Sequence, residues 1–339
     1  MNYILSNENA IYYECGYSND NALYLQLGSD AFLLTDSRYQ LEATRALEGV
    51  ELIIERDLYA KVNELLKASG IKKLHYDPKE WSVFQYEKIT QGLTIRFKPT
   101  PDLSHQKRMI KSERELKKLK IAARLGAKSF DRLAQIINDY GFKHSEYVLT
   151  HMAKSALSKY GYYPLSFDPI VAVGANAAKP HALPTMIHLH KKDLLLVDAG
   201  LKYERYCSDR TRTVCARHGF DFSTKQRFKK KKIQKAYDAV LKAHDTAIEK
   251  ARSGMKAKEV DALTREIIEK AGFGRYFIHS TGHGVGLDIH EMPYIASTSE
   301  TIIEDGMVYT IEPGIYIPDE FGIRIEDMVA MVNGQAVVL

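Results

Sequence analysis

Cysteine is scarce. Cys15, Cys207 and Cys215 are the only three, they cannot all pair, and none stands in a C-x-x-C spacing. A disulfide framework is therefore not expected, and a reduced, cytoplasmic protein is the simplest expectation. Long apolar runs are missing too. No stretch approaches the ~20 residues of a membrane-spanning helix. The N-terminal MNYILSNENAIYY has no basic segment leading into an apolar one, so no signal peptide is expected. A strong excess of one charge is also lacking: 48 Lys+Arg stand against 43 Asp+Glu, a net +5. That balance calls for no nucleic-acid partner. The run Lys229 to Lys232 lacks interleaved aromatics and reads as a solvated helix start.

What is present is the composition of a globular chain, 45% hydrophobic and 27% charged, in 339 residues, enough for two domains. The first hundred residues alternate. Residues 22–27 and 31–35 read as strands around the turn Gly28-Ser29-Asp30, 51–54 as another strand, and 37–47 and 58–69 as helices. Such alternation predicts an α/β domain. Pro99-Thr100-Pro101-Asp102 interrupts it, and Ser112-x-x-Glu115 has the form of a capping box opening a long helix to about residue 140. The domain boundary is accordingly placed near residue 110. The remainder mixes helices over 228–251 and 258–271 with strands over 168–174, 193–199, 206–215, 307–316 and 323–332. Helices and strands arrive in two similar batches, which predicts an α+β domain with an internal pseudo-repeat.

Acidic residues end or cross several of these strands. Asp198 ends one apolar run and Asp209 lies on the next strand. A hairpin centred near 203–204 would set the two face to face, about 4.5–5.5 Å apart at Cβ. Glu312 and Glu326 flank a turn-rich stretch whose midpoint is residue 319, so they too converge across paired strands. Carboxylates at such distances repel unless a cation lies between them. Between these pairs stands HSTGHGVGLDIHE, with His279, His283 and His290 among glycines that permit close approach. Singly, each acid reads more readily as a turn or exposed-strand residue, and His283 as an ordinary satisfied polar group. Together, four acids and one imidazole make a mostly oxygen-donor set with charge for two divalent cations. Manganese suits such ligation best, with cobalt, iron or zinc as substitutes. Two metals about 3.5–4 Å apart can share a water and polarise a carbonyl. His188 and His190 alternate on a strand edge and read as surface residues, and His105, His151, His218 and His244 read as ordinary histidines with no part in the site.

These residues resemble the creatinase/methionine-aminopeptidase superfamily. Its motifs are met as VDAG (Asp198), SDRTRT (Asp209), HSTGHGVGLDIHE (His283), TIEPGIY (Glu312) and RIED (Glu326). The nearer resemblance is to Xaa-Pro peptidases, aminopeptidase P and prolidase. It includes the segment from Ser166 to His181 and, in the first domain, the stretches around Tyr13–Tyr17 and Thr35–Tyr39. The resemblance implies a creatinase-like α/β domain over 1–110 and a pita-bread catalytic domain over 111–339 with a pseudo-twofold repeat. It implies Asp198, Asp209, His283, Glu312 and Glu326 as ligands of two metals, with Asp209 and Glu326 bridging. Glu312 would also accept a proton from the bridging water. His290 and His181 would hold the substrate carbonyl, and His279 would support the site. Arg324, two residues before Glu326 on the same strand face, is placed to orient a carboxylate. The implied activity is hydrolysis of the Xaa-Pro bond in dipeptides or at peptide N-termini, by a cytoplasmic homodimer with no membrane or nucleic-acid partner. Methionine aminopeptidase, a creatinase-like amidinohydrolase and a non-catalytic binding protein of the same fold are the alternatives. Members of the last kind commonly lose ligands, and this chain keeps all five.

Overall fold

The computed structural model describes all 339 residues, as two compact units, Met1–Arg108 and Met109–Leu339. In the first, a mixed six-stranded sheet runs in the order Glu51–Ile54, Asp30–Thr35, Ala22–Leu27, Tyr3–Leu5, Lys73–Tyr76 and Arg96–Pro99. The expected strands and helices of this unit are present, with Gln40–Ala46 and Leu58–Ser69 as the helices. The strands Tyr3–Leu5, Lys73–Tyr76 and Arg96–Pro99 were not expected. Tyr3–Leu5 has only three residues, and Lys73–Tyr76 and Arg96–Pro99 mix charged residues, histidine or proline into four, so none shows an apolar run like that of Glu51–Ile54. The central strands carry apolar residues on both faces. Leu33 and Tyr24 pack on one side with Ile11, and Leu34 and Leu25 on the other with Val62 and Leu66.

The second unit opens with the long helix Glu113–Tyr140, whose N-terminus Ser112 and Glu115 close as a reciprocal capping box. This helix and Glu146–Ser158 bury Phe130, Leu133, Leu149 and Leu157 against a three-stranded sheet of Ile170–Val173, Leu194–Asp198 and Thr211–Cys215. The helices Lys231–Lys250 and Ala257–Lys270 stand to a second, five-stranded sheet in the same way, through Ala247, Val260, Tyr309 and Val329. The result is the expected α+β architecture of two similar halves. The strand Leu194–Asp198 is buried throughout because both its faces are covered. Leu195 and Val197 enter one core, Leu194 and Leu196 the other. A strand covered on both faces reads as a continuous apolar run in the sequence, and its single acid stands out at the end.

Two glycines explain how the second sheet closes. A Cβ on Gly282 would lie 1.9 Å from the Thr310 carbonyl oxygen, and one on Gly284 would lie 2.2 Å from that of Met292. The strand Gly282–Gly284 is thus clasped between Glu291–Ile295 and Val308–Ile311 at backbone contact. Short and glycine-rich, it carries no strand signal in the sequence. Lys111 and Glu291 form an ion pair at 2.6 Å with both side chains 1% exposed, another feature invisible in the sequence. The lysine run is exposed as expected, and Lys232 meets Glu320. All three cysteines are free, and no helix is long and apolar enough to cross a membrane.

Candidate metal centre

The first acid pair arrives by a different register from the one expected. The hairpin turns at Glu204 and Arg205, both at positive φ, with Tyr203 opposite Tyr206. Thr211, not Asp209, therefore lies across from Asp198. Asp209 sits in the unpaired stretch between Tyr206–Cys207 and Thr211–Cys215, where the ladder breaks. The second pair follows the expected register. Gly314 pairs with Arg324 on one side and Ile311 with Asp327 on the other. Glu312 and Glu326 face each other in the gap between those two ladders.

The five residues line one cavity of about 530 Å³ together with His279, His290, His181 and Arg324. Asp209, His283 and Glu326 offer ligand atoms within 4.8 Å of one another, and all three are buried. The His283 Nε2 lies 3.6 Å from Asp209 Oδ2 and 3.4 Å from Glu312 Oε1. Its Nδ1 is 3.1 Å from the Gly284 carbonyl oxygen, so the ring proton belongs on Nδ1, and the Nε2 lone pair faces the acids. Burial, reinforced by His290, pushes the His283 pKa down to about 3, so no second proton fills that space. Asp198 Oδ1 and Asp209 Oδ1 are buried without a hydrogen-bond partner. Burial raises Asp209, with the Glu326 charge adding to it, and raises Glu326, with Glu312 adding to it. Burial also carries Glu312 to about 8 against the pull of Arg324. The His283 Nε2 lone pair and the carboxyl oxygens of Asp209 and Glu312 crowd one another at 3.4–3.6 Å. The donor set fits divalent cations, which would satisfy the orphaned oxygens and remove the repulsion.

Arg324 is the organising cation. Its Nη2 reaches Asp198 Oδ2 at 2.7 Å, its Nη1 donates to the Tyr316 hydroxyl at 2.8 Å, and its Nε donates to Thr211 Oγ1 at 3.0 Å. Thr211 in turn donates to Glu326 Oε2 at 2.6 Å. The carboxylate that Arg324 holds directly is thus Asp198, and Glu326 is held through Thr211. Tyr316 links onward to His279 Nε2 at 2.9 Å, and the Thr310 hydroxyl steadies Glu312 Oε1 at 3.3 Å. His279 is driven to about 4 by burial, with the nearby Arg324 charge adding. His290 packs edge-on against His283, ring centroids 4.3 Å apart, while remaining open to the cavity. Its pKa is lowered by desolvation and by His181. His181 is exposed on the cavity wall. His188, His190, His151 and His218 are exposed, whereas His244 is buried beside Asp327, which Arg212 also holds. Sequence reasoning did not single out Thr211, Thr310 or Tyr316. The only signal was their place inside the motifs.

A family model, that of metallopeptidase family M24, matches residues 117–333. The chain belongs to that family. Its second unit is the M24 pita-bread domain, and the creatinase/prolidase N-terminal domain matches residues 2–110. Among M24 relatives, an uncharacterized peptidase of Bacillus subtilis, YqhT, is 32% identical over 99% of this chain and 92% of its own. An Xaa-Pro dipeptidase of Pyrococcus horikoshii is 35% identical over 87% of this chain and 80% of its own. The solved Xaa-Pro dipeptidase from Bacillus anthracis superposes with a TM-score of 0.91 at 32% identity, covering 99% of this chain and 92% of that one. An X-Pro aminopeptidase from Thermotoga maritima gives 0.86 at 28% identity, covering 99% and 94%. M24 membership makes the protein a metallopeptidase and implies divalent metal ions.

Proposed function

We propose that this M24 protein hydrolyses the amide bond on the amino side of proline, in Xaa-Pro dipeptides or at the N-termini of longer peptides. Asp198, Asp209, His283, Glu312 and Glu326 hold two divalent cations in this reading. The observation that carries it is the cluster of four carboxylates, three buried and Glu312 part-buried, around a neutral imidazole, with two orphaned oxygens, in a chain whose relatives include Xaa-Pro peptidases. The cations would supply Lewis-acid polarisation of the scissile carbonyl and a water acidic enough to attack at neutral pH.

The chain's own residues do the rest. Glu312 accepts the proton of the attacking water, steadied by the Thr310 hydroxyl. His290 and His181 face the cavity and hold the carbonyl oxygen as it gains negative charge. Phe167, Pro169, Ile170, Ala182 and Leu183 give the cavity an apolar wall that suits a proline ring. Arg324 and Thr211 keep Asp198 and Glu326 in place.

The test is a substrate series with added manganese: Xaa-Pro, Xaa-Pro-Yaa, Met-Ala and creatine. Turnover confined to the proline substrates is expected, and turnover confined to Met-Ala or creatine overturns the reading. Exhaustive chelation should abolish activity, and added metal should restore it. Full activity with metal content measured as nil would reject a metal mechanism. His290→Ala is expected to lower kcat about 10²–10³-fold by removing an oxyanion contact while metal content stays unchanged. Loss of metal in that variant would instead move His290 into the ligand set.

A further inference from the structure

We infer that Glu146, remote in sequence from every motif, is a positioning residue that clamps the segment carrying His181 onto the cavity wall; the inference rests on the proposed role of His181. Glu146 is the first residue of the helix Glu146–Ser158, and its side chain is fully buried. Its Oε1 accepts the Val173 backbone N–H at 2.7 Å. Its Oε2 accepts Asn176 Nδ2 at 2.8 Å, the Thr185 backbone N–H at 2.7 Å and the Thr185 hydroxyl at 2.6 Å.

Val173 and Thr185 bracket the stretch 174–184. One carboxylate therefore closes that stretch at both ends, and within it lie Pro180, His181, Ala182, Leu183 and Pro184, all on the cavity wall. The clamp extends inward. Asn176 Nδ2 also donates to the Leu183 carbonyl at 3.0 Å, and Lys179 Nζ donates to Asn176 Oδ1 at 3.0 Å. From the other side, Arg324 Nη1 donates to the Pro180 carbonyl at 3.3 Å. His181 itself is exposed, so no packing around its ring locks it. Its position is inherited from the backbone, and the backbone is held by Glu146. A carboxylate serves here because it is acceptor-only and can take several donors at once.

Glu146→Gln is the informative variant. The amide can keep its oxygen at the three-donor position, which leaves its NH2 group facing only the Val173 N–H. The Val173 end of the clamp opens and the Thr185 end stays closed. The expected result is faster backbone hydrogen exchange confined to about residues 173–185, with metal content unchanged. Alongside it, kcat/KM on an Xaa-Pro peptide should fall by about 10–100-fold, the scale at which a misplacement near 1 Å acts. In a His181→Ala background the same change should add less than about 2-fold, because the group it positions is already gone. Thr185→Val, which removes one of the four donors, should show a smaller loss of the same kind and serves if the Gln variant does not fold. Multiplicative losses in the double variant, or unchanged exchange across 173–185, overturn the inference. The exchange measurement does not depend on turnover, so failure of the Xaa-Pro reading would leave it standing.

Discussion

Asp209→Asn, and equally Glu326→Gln, is expected to reduce turnover by at least about 10³-fold, equivalent to about 4 kcal/mol of transition-state stabilisation. Both side chains are buried beside other carboxyl groups, and Asp209 Oδ1 has no hydrogen-bond partner. Changing either to an amide removes one negative charge and puts a donor where a cation should sit. The two consequences have opposite signs. Without metal, the amide relieves carboxylate repulsion, since burial and Glu326 hold the Asp209 pKa up, and burial and Glu312 do the same for Glu326. The metal-free variant should therefore melt at or above the metal-free wild type. With metal, it should lose at least one equivalent and most of the stabilisation that metal confers, because linkage scales with affinity. Elemental analysis and paired melting curves, with chelator and with manganese, read both signs. Wild-type turnover with two metals still bound would reject these ligand assignments.

Arg324→Met is expected to destabilise the protein by about 3–5 kcal/mol, the usual cost of breaking a buried ion pair from one side. The guanidinium is buried and serves Asp198, Thr211, Tyr316 and the Pro180 carbonyl at once. Its removal leaves the Asp198 carboxylate with two unsatisfied oxygens, because Asp198 Oδ1 already has no partner. Thr211 also loses a donor that sets its orientation toward Glu326. Arg324→Lys should recover only part of the loss, since an ammonium cannot span a planar fork of partners. Denaturant unfolding of the chelator-treated protein gives the stability change, and metal titration gives the companion loss of affinity. A stability within about 1 kcal/mol of wild type would show that the ion pair is not what holds this corner together.

The two acid pairs show where sequence reading succeeded and where it failed. Glu312 and Glu326 lie seven residues either side of Asp319, and a single turn sets their register. That turn is local, so counting from its midpoint was enough. Asp198 and Asp209 needed the same count, but their turn is made by Glu204 and Arg205 at φ 46° and 72°. Neither residue type advertises a left-handed conformation, which glycine or asparagine would have signalled. The register therefore lies beyond residue identity, and Asp209 reaches the site through a break in the ladder.

Local chemistry was readable throughout: the capping box of Ser112 and Glu115, and the apolar run ending in Asp198. These depend on neighbours a few residues apart, whose geometry the backbone periods set. Contacts between distant segments depended on the tertiary structure alone. Arg324 meets Asp198 across 126 positions, Lys111 meets Glu291 across 180, and Glu146 gathers donors up to 39 residues away. Only the packing of helices and sheets brings such groups within 3 Å. Asp198 and Arg324 could be picked out singly, but not as partners, and Lys111, Glu291 and Glu146 are single polar residues with no periodicity of their own, so nothing in the linear pattern marks out these pairings.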